Sequence, residues 1–210
     1  MNKITISSII VAVLIIISGG IIFQYVSTTT SVDISMNDNV TTSFYQITGD
    51  EEETLIKTID SSGTISLRDG EYCAQIDLEG YDTTPQCFTV EKNLTSLHID
   101  QNYSPNKLQT LLSNELLSIE TLINQTYAPV IASFTLKTGE LFGRGEWYGA
   151  TLTQIPLDPS ERGDTYRLLL KKEDEAWKVI AYPQLVLSKQ NYPNVPFSVL
   201  SQTNKLVGEY

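Results

Sequence analysis

Histidine and cysteine are nearly absent from this chain. It has one His and two Cys in 210 residues. A structural zinc set takes four nitrogen or sulfur ligands, so none is expected. A Ser-His-Asp or Cys-His site would have to be built on His98. That residue sits in Leu97-His98-Ile99-Asp100, an alternating strand pattern, and no G-x-S-x-G elbow accompanies it. Basic residues are also scarce, 14 against 25 acidic, for a net charge of −11. Phosphate backbones need basic clusters, which excludes a nucleic-acid partner. The glycine-rich stretch Gly143-Arg144-Gly145-Glu146-Trp147 lacks the G-K-[ST] ending of a phosphate loop. Asp50-Glu51-Glu52-Glu53 lacks the alternating oxygen-ligand spacing of a calcium loop. No cofactor and no metal are expected.

What is present begins with residues 4–26, an apolar run of 23 residues without a charge. As a helix it spans about 34 Å, enough for a hydrocarbon core of about 30 Å. It is read as a transmembrane signal anchor (residues 4–26) behind a cytoplasmic tip (residues 1–3). A cut just after Val26 is the alternative, and it would leave the same exterior domains free. Lys3 lies on the short side, whereas the far side has no Lys or Arg before Lys57. The positive-inside rule then places the chain at the cell membrane as a single-pass protein. Its N-terminus is cytoplasmic and residues 27–210 are extracytoplasmic.

Charge divides that exterior. Residues 27–103 carry 14 Asp and Glu against 3 Lys and Arg, and residues 104–210 carry 11 against 10. After a linker at residues 27–31, the first domain is set at residues 32–101. Short runs rich in Thr, Ile, Val and Tyr, at residues 43–47, 54–59, 64–67, 71–78 and 85–90, are separated by Asn, Asp and Gly. They predict a small all-β sandwich. A hairpin turning about Gly80 places Cys73 opposite Cys87, Tyr72 opposite Phe88 and Ala74 opposite Gln86. Opposed residues lie within disulfide reach. Two cysteines in an extracytoplasmic chain favour a disulfide between Cys73 and Cys87.

The string Ser66-Leu67-Arg68-Asp69-Gly70-Glu71-Tyr72, followed by Gly80-Tyr81, Phe88-Thr89-Val90 and Leu97-His98-Ile99, resembles the second half of a PEGA-type domain. The resemblance covers about 35 residues. It implies an extracytoplasmic adhesive or spacer module without catalysis.

The second domain is set at residues 102–210. Ser104-Pro105 opens its helix, with Ser as N-cap and Pro at the first position. Leu108, Leu111, Leu112, Leu116, Ile119, Leu122 and Ile123 then repeat at helical spacing up to Tyr127. Strands follow at residues 130–137. After a Thr138-Gly139 turn, a bent strand is expected through the glycines at 143, 145 and 149 to residue 155. A hairpin of residues 166–171 and 177–182 comes next, with a short terminal helix near residues 196–204. Asp164-Thr165-Tyr166-Arg167-Leu168-Leu169-Leu170-Lys171-Lys172 and Ala176-Trp177-Lys178-Val179-Ile180 resemble the closing hairpin of NTF2-like and cystatin-like folds. The expected fold class is therefore an N-terminal transmembrane helix, then a small all-β sandwich, then an α+β domain with one long helix packed on a curved antiparallel sheet.

A concave sheet offers Arg144, Trp147, Tyr148, Tyr166 and Trp177 as a ligand-binding lining. The alternative reading makes both tryptophans core. The functional expectation is a non-catalytic envelope protein that presents binding or interaction modules, with the membrane and a protein or envelope component as partners. Its layout also resembles a bitopic subunit of a type IV secretion or conjugation-type membrane complex. A third reading is an NTF2-like pocket enzyme using Glu140 or Glu146 with Tyr148 or Tyr166.

Overall fold

A computed structural model describes residues 29–49, 52–129, 131–158 and 160–208. The expected cytoplasmic tip, the apolar run 4–26, Asp50, Glu51 and Val130 lie outside the described residues. No described helix is long and apolar enough to cross a membrane. The chain divides into two compact units. One holds the described residues up to Asp77 together with Thr84–Ile99, and the other holds Leu78–Thr83 with Asp100 onward.

The first unit contains seven strands: β1 (Thr29–Met36), β2 (Thr42–Ile47), β3 (Glu53–Ile59), β4 (Gly63–Arg68), β5 (Gly70–Ile76), β6 (Gln86–Val90) and β7 (Ser96–Ile99). Thr29, Thr30 and Ser31, expected as linker, belong to β1 and pair with Arg68, Leu67 and Ser66. Two sheets form, in the orders β4-β1-β7 and β3-β2-β5-β6. Alternation turns one face of each inward. Val32, Ile34, Ile65, Leu67 and Ile99 from one sheet meet Phe44, Tyr72, Ala74 and Val90 from the other in a single core. Phe88 stacks on Tyr72 with ring centroids 6.0 Å apart. In the β5–β6 hairpin Cys73 pairs with Cys87, Tyr72 with Phe88 and Ala74 with Gln86. Cys73 and Cys87 are joined as a disulfide, with Cα atoms 4.0 Å apart.

The second unit begins with α1 (Pro105–Tyr127). Ser104 caps it, its hydroxyl accepting from the Lys107 N–H at 3.4 Å, and Pro105 occupies the first turn. A short 3-10 turn (Ile131–Ser133) leads into β8 (Phe134–Phe142), β9 (Trp147–Gln154), β10 (Thr165–Glu173), β11 (Ala176–Gln184) and α2 (Phe197–Lys205). The four strands form an antiparallel sheet in the order β11-β10-β9-β8. Ile119, Ile123 and Tyr127 of α1 pack on Leu141, Tyr148, Ala150, Leu152, Leu168, Leu170 and Trp177. On the opposite face Phe142, Trp147, Leu169 and Ala181 are covered by Leu187, Val195, Val199 and Leu200. Each such large side chain fully buried contributes about 1.5–3 kcal/mol.

This corrects the expected fold class. The described residues are mostly β, in three sheets with two helices, neither of which can cross a membrane, and the second unit is not the expected one-helix α+β layer. The physical reason in the second unit is that its sheet is apolar on both faces. All of β9 except its last residue is buried. A single helix covers one face only, so residues 187–206 close the other.

Two local expectations also change. Residues 143–146 form the tight turn between β8 and β9, with Gly143 at φ 68° and Gly145 at φ 87°, conformations that favour glycine. Thr138-Gly139 is not a turn. The strand runs through it, with a register shift between Lys137 and Glu140 that marks a bulge. A Cβ at Gly139 would stand 1.9 Å from the Gly149 carbonyl oxygen, so only glycine fits. The Gly139 N–H donates to the buried Tyr148 hydroxyl at 2.8 Å instead of to a strand neighbour.

Candidate functional site

Both hairpin turns of the second unit reach the same end of its sheet. The Lys172 N–H donates to the Glu146 carbonyl at 2.8 Å and ties β10 to the β8–β9 turn. The β10–β11 turn is Asp174-Glu175, flanked by the pair Glu173 and Ala176. Both turn residues have positive φ, 50° and 63°, as a two-residue hairpin turn that follows the strand twist requires. Between these turns and α1 lies a cleft of about 320 Å³. Leu111 and Leu141 supply its apolar wall. Glu115, Arg144, Glu146, Lys172, Asp174 and Glu175 supply its charged wall.

The charges hold one another. Lys172 Nζ lies 2.8 Å from Glu115 Oε1 and 3.0 Å from Glu175 Oε2. The Trp177 indole N–H donates to Glu115 Oε2 at 2.9 Å. The hydrogen bond from Lys172, then the one from Trp177, holds the Glu115 carboxyl below the usual glutamate range. The bonds to Glu115 and Glu175 push the Lys172 ammonium up. The Arg144 N–H donates to Glu146 Oε2 at 2.6 Å, closing the glycine-rich turn on itself. Beside the cleft, Glu173 bridges Lys171 and Lys178, each at 3.0 Å.

The structure separates the five residues expected as a lining. Arg144 lines the cleft. Trp177 stands behind it, bonded to Glu115, its ring set edge-on to Tyr148 with centroids 6.3 Å apart. Tyr148 is fully buried in the core under α1. Trp147 is buried on the opposite face, with Lys171 Nζ 5.4 Å from its ring centroid. Tyr166 pairs with Leu152 at the other end of β10 and meets the Phe134 ring edge-on at 5.7 Å.

Glu115 and Lys172 were not singled out in the sequence. The signal for Glu115 was its spacing. It falls four residues after Leu111 and four before Ile119, a charge on the apolar stripe of α1. His98 lies in β7 beside Ser35 of β1, its Nδ1 2.6 Å from the Ser35 hydroxyl. Among the described residues no cluster of three His, Cys, Asp or Glu could hold a metal ion.

No protein-family model matches the chain. No curated protein matches it. Among solved structures, the chain is similar to a DUF3823 family protein from Bacteroides ovatus at 10% identity and a TM-score of 0.27, over 74% of this chain and 97% of that one.

Proposed function

We propose that this is a non-catalytic binding protein, tethered to a membrane through residues 4–26 and displaying its two units on the extracytoplasmic side. The cleft between α1 and the two hairpin turns is its ligand site, and Arg144 is its sequence-legible member. The first unit serves as a PEGA-like spacer or interaction module.

One observation carries the reading. The carboxylate at the cleft wall, Glu115, is held ionised by Lys172 and Trp177. A general acid at neutral pH needs the opposite shift. A pre-paired set of charges over Leu111 and Leu141 suits recognition of a ligand better than proton transfer. The Cys73–Cys87 bond supports the oxidising side of a membrane, where disulfides persist.

A reporter that works only in the cytoplasm, fused after Tyr210 in the full chain, tests the reading. It is expected to be silent while the fusion stays with the membrane fraction. Cytoplasmic activity of that reporter overturns the topology and the role built on it.

A further inference from the structure

The four-stranded sheet of the first unit has an outer face that is not uniformly polar. Phe44, Tyr72 and Ala74 point into the core, so alternation turns their neighbours outward. The register aligns those neighbours in rows across the strands. One row runs from Leu55 through Tyr45 to the Cys73–Cys87 bridge. Leu55 is 54% exposed, Cys87 is exposed and Tyr45 is half-buried. The adjacent row places Glu53 and Glu71 on either side of Ile47.

These rows end at β3, the edge of the sheet. Among the described residues no strand pairs with its outer side. Six of its seven residues are exposed. The register shifts between Phe44 and Tyr45, so that Ile56 is the extra residue beside Leu55, and it is 42% exposed. An edge strand leaves every second N–H and C=O facing outward, ready to pair with another chain.

We propose that the β3 edge receives an extended cationic segment of another protein as a fifth strand. Its backbone pairs with β3, an apolar side chain meets Leu55 and Tyr45, and an Arg or Lys two residues along meets Glu53. The two-residue period follows from the alternation of strand side chains.

Charge selects this occupant over a second copy. Residues 27–103 carry 14 acidic side chains against 3 basic ones, so edge-to-edge pairing of two copies brings two strongly acidic modules together. Lys57, itself exposed on β3, is that strand's one basic side chain and leaves this balance strongly acidic. The surface lies wholly in the first unit and does not depend on the cleft of the second.

The test is fluorescence anisotropy with the full chain and two labelled peptides, Thr-Arg-Thr-Val-Thr-Arg-Thr and Thr-Glu-Thr-Val-Thr-Glu-Thr. The arginine peptide is expected to bind at least about tenfold more tightly, and less tightly as salt rises. Glu53→Lys combined with Leu55→Lys, both at exposed positions, should weaken it about tenfold with an unchanged circular dichroism spectrum. Asp77→Lys, exposed but away from the edge, should leave binding within about twofold. Equal binding of both peptides overturns the proposal. So does equal weakening by Asp77→Lys, which would reduce the effect to general acidity. Self-association of the free chain that the double variant abolishes would name a second copy as the occupant and overturn it as well.

Discussion

Replacing Tyr148 with Phe should destabilise the second unit by about 2 kcal/mol. The hydroxyl is the acceptor for the Gly139 N–H at 2.8 Å, and Tyr148 is fully buried. The bulge between Lys137 and Glu140 has taken that N–H out of the strand ladder. A Cβ at Gly139 would stand 1.9 Å from the Gly149 carbonyl oxygen, so the two strands run tightly together at the bulge. Without the hydroxyl a buried donor is left unpaired, a cost of about 1–3 kcal/mol. The ring itself remains, so the core loses almost no volume. For a unit of this size about 2 kcal/mol lowers the melting midpoint by roughly 8 °C. Trp147 and Trp177 are the chain's two tryptophans and both lie in this unit. Urea unfolding followed by tryptophan fluorescence therefore reads it directly. The expected result is a lower midpoint at an unchanged slope. A Phe variant within about 0.5 kcal/mol of the parent would refute the claim that this hydroxyl stabilises the bulge.

Two predictions concern pH. Burial pushes the Tyr127 phenol up to about 12, and its hydroxyl is buried without a hydrogen-bond partner. The unfolded chain ionises its tyrosines near about 10, so this contribution is fully present below about pH 10 and is lost as pH rises toward about 12. Tyr127→Phe should remove that alkaline loss and leave stability at pH 7 equal or slightly higher; a clear loss at pH 7 would reveal a partner for the hydroxyl. Glu115 is shifted the other way. Its contribution is present above the ordinary glutamate range and is lost as pH falls through its depressed folded value. Glu115→Gln should cost about 1–3 kcal/mol at pH 7 and flatten the acid limb of a stability-versus-pH curve, and an unchanged acid limb would argue against the Lys172 and Trp177 bonds.

The first unit was legible where turn chemistry and alternation agree. The cysteine pair and Gly80 set the β5–β6 register, because a hairpin with its turn fixed has one pairing. The Ser104-Pro105 cap and the Tyr127 end of α1 were equally readable, since capping is local chemistry. The second sheet was harder. In β9, Ala150-Thr151-Leu152-Thr153 alternates apolar and polar residues and so reads as half-exposed, yet both threonines are buried because both faces are covered. That burial depends on residues 187–206, far away in sequence. Glycine was ambiguous for a similar reason. Positions 143 and 145 turn the chain, 139 lets β8 approach β9 and 149 makes room for Thr203 of α2 and Phe142, and composition alone does not separate these uses. The cleft was legible at Arg144 but not as a site. Its geometry arises where two distant turns meet α1, and the aromatic residues expected beside Arg144 are distributed over both faces of the sheet.

The hairpin tip Leu78–Thr83 groups with the second unit although its flanking strands belong to the first. The Asp82 backbone N–H donates to the Asn102 carbonyl at 2.9 Å, the Ser104 backbone N–H donates to the Gly80 carbonyl at 2.9 Å, and Lys107 Nζ lies 3.3 Å from the Tyr103 ring centroid. The polypeptide therefore passes between the units three times, near residues 77, 83 and 99. A gene fragment ending at residue 99 carries a tip without the residues it binds, and one beginning at 100 lacks that tip. Neither unit can be exchanged by a single recombination at one point, so they are inherited together or regrafted with six residues moved across.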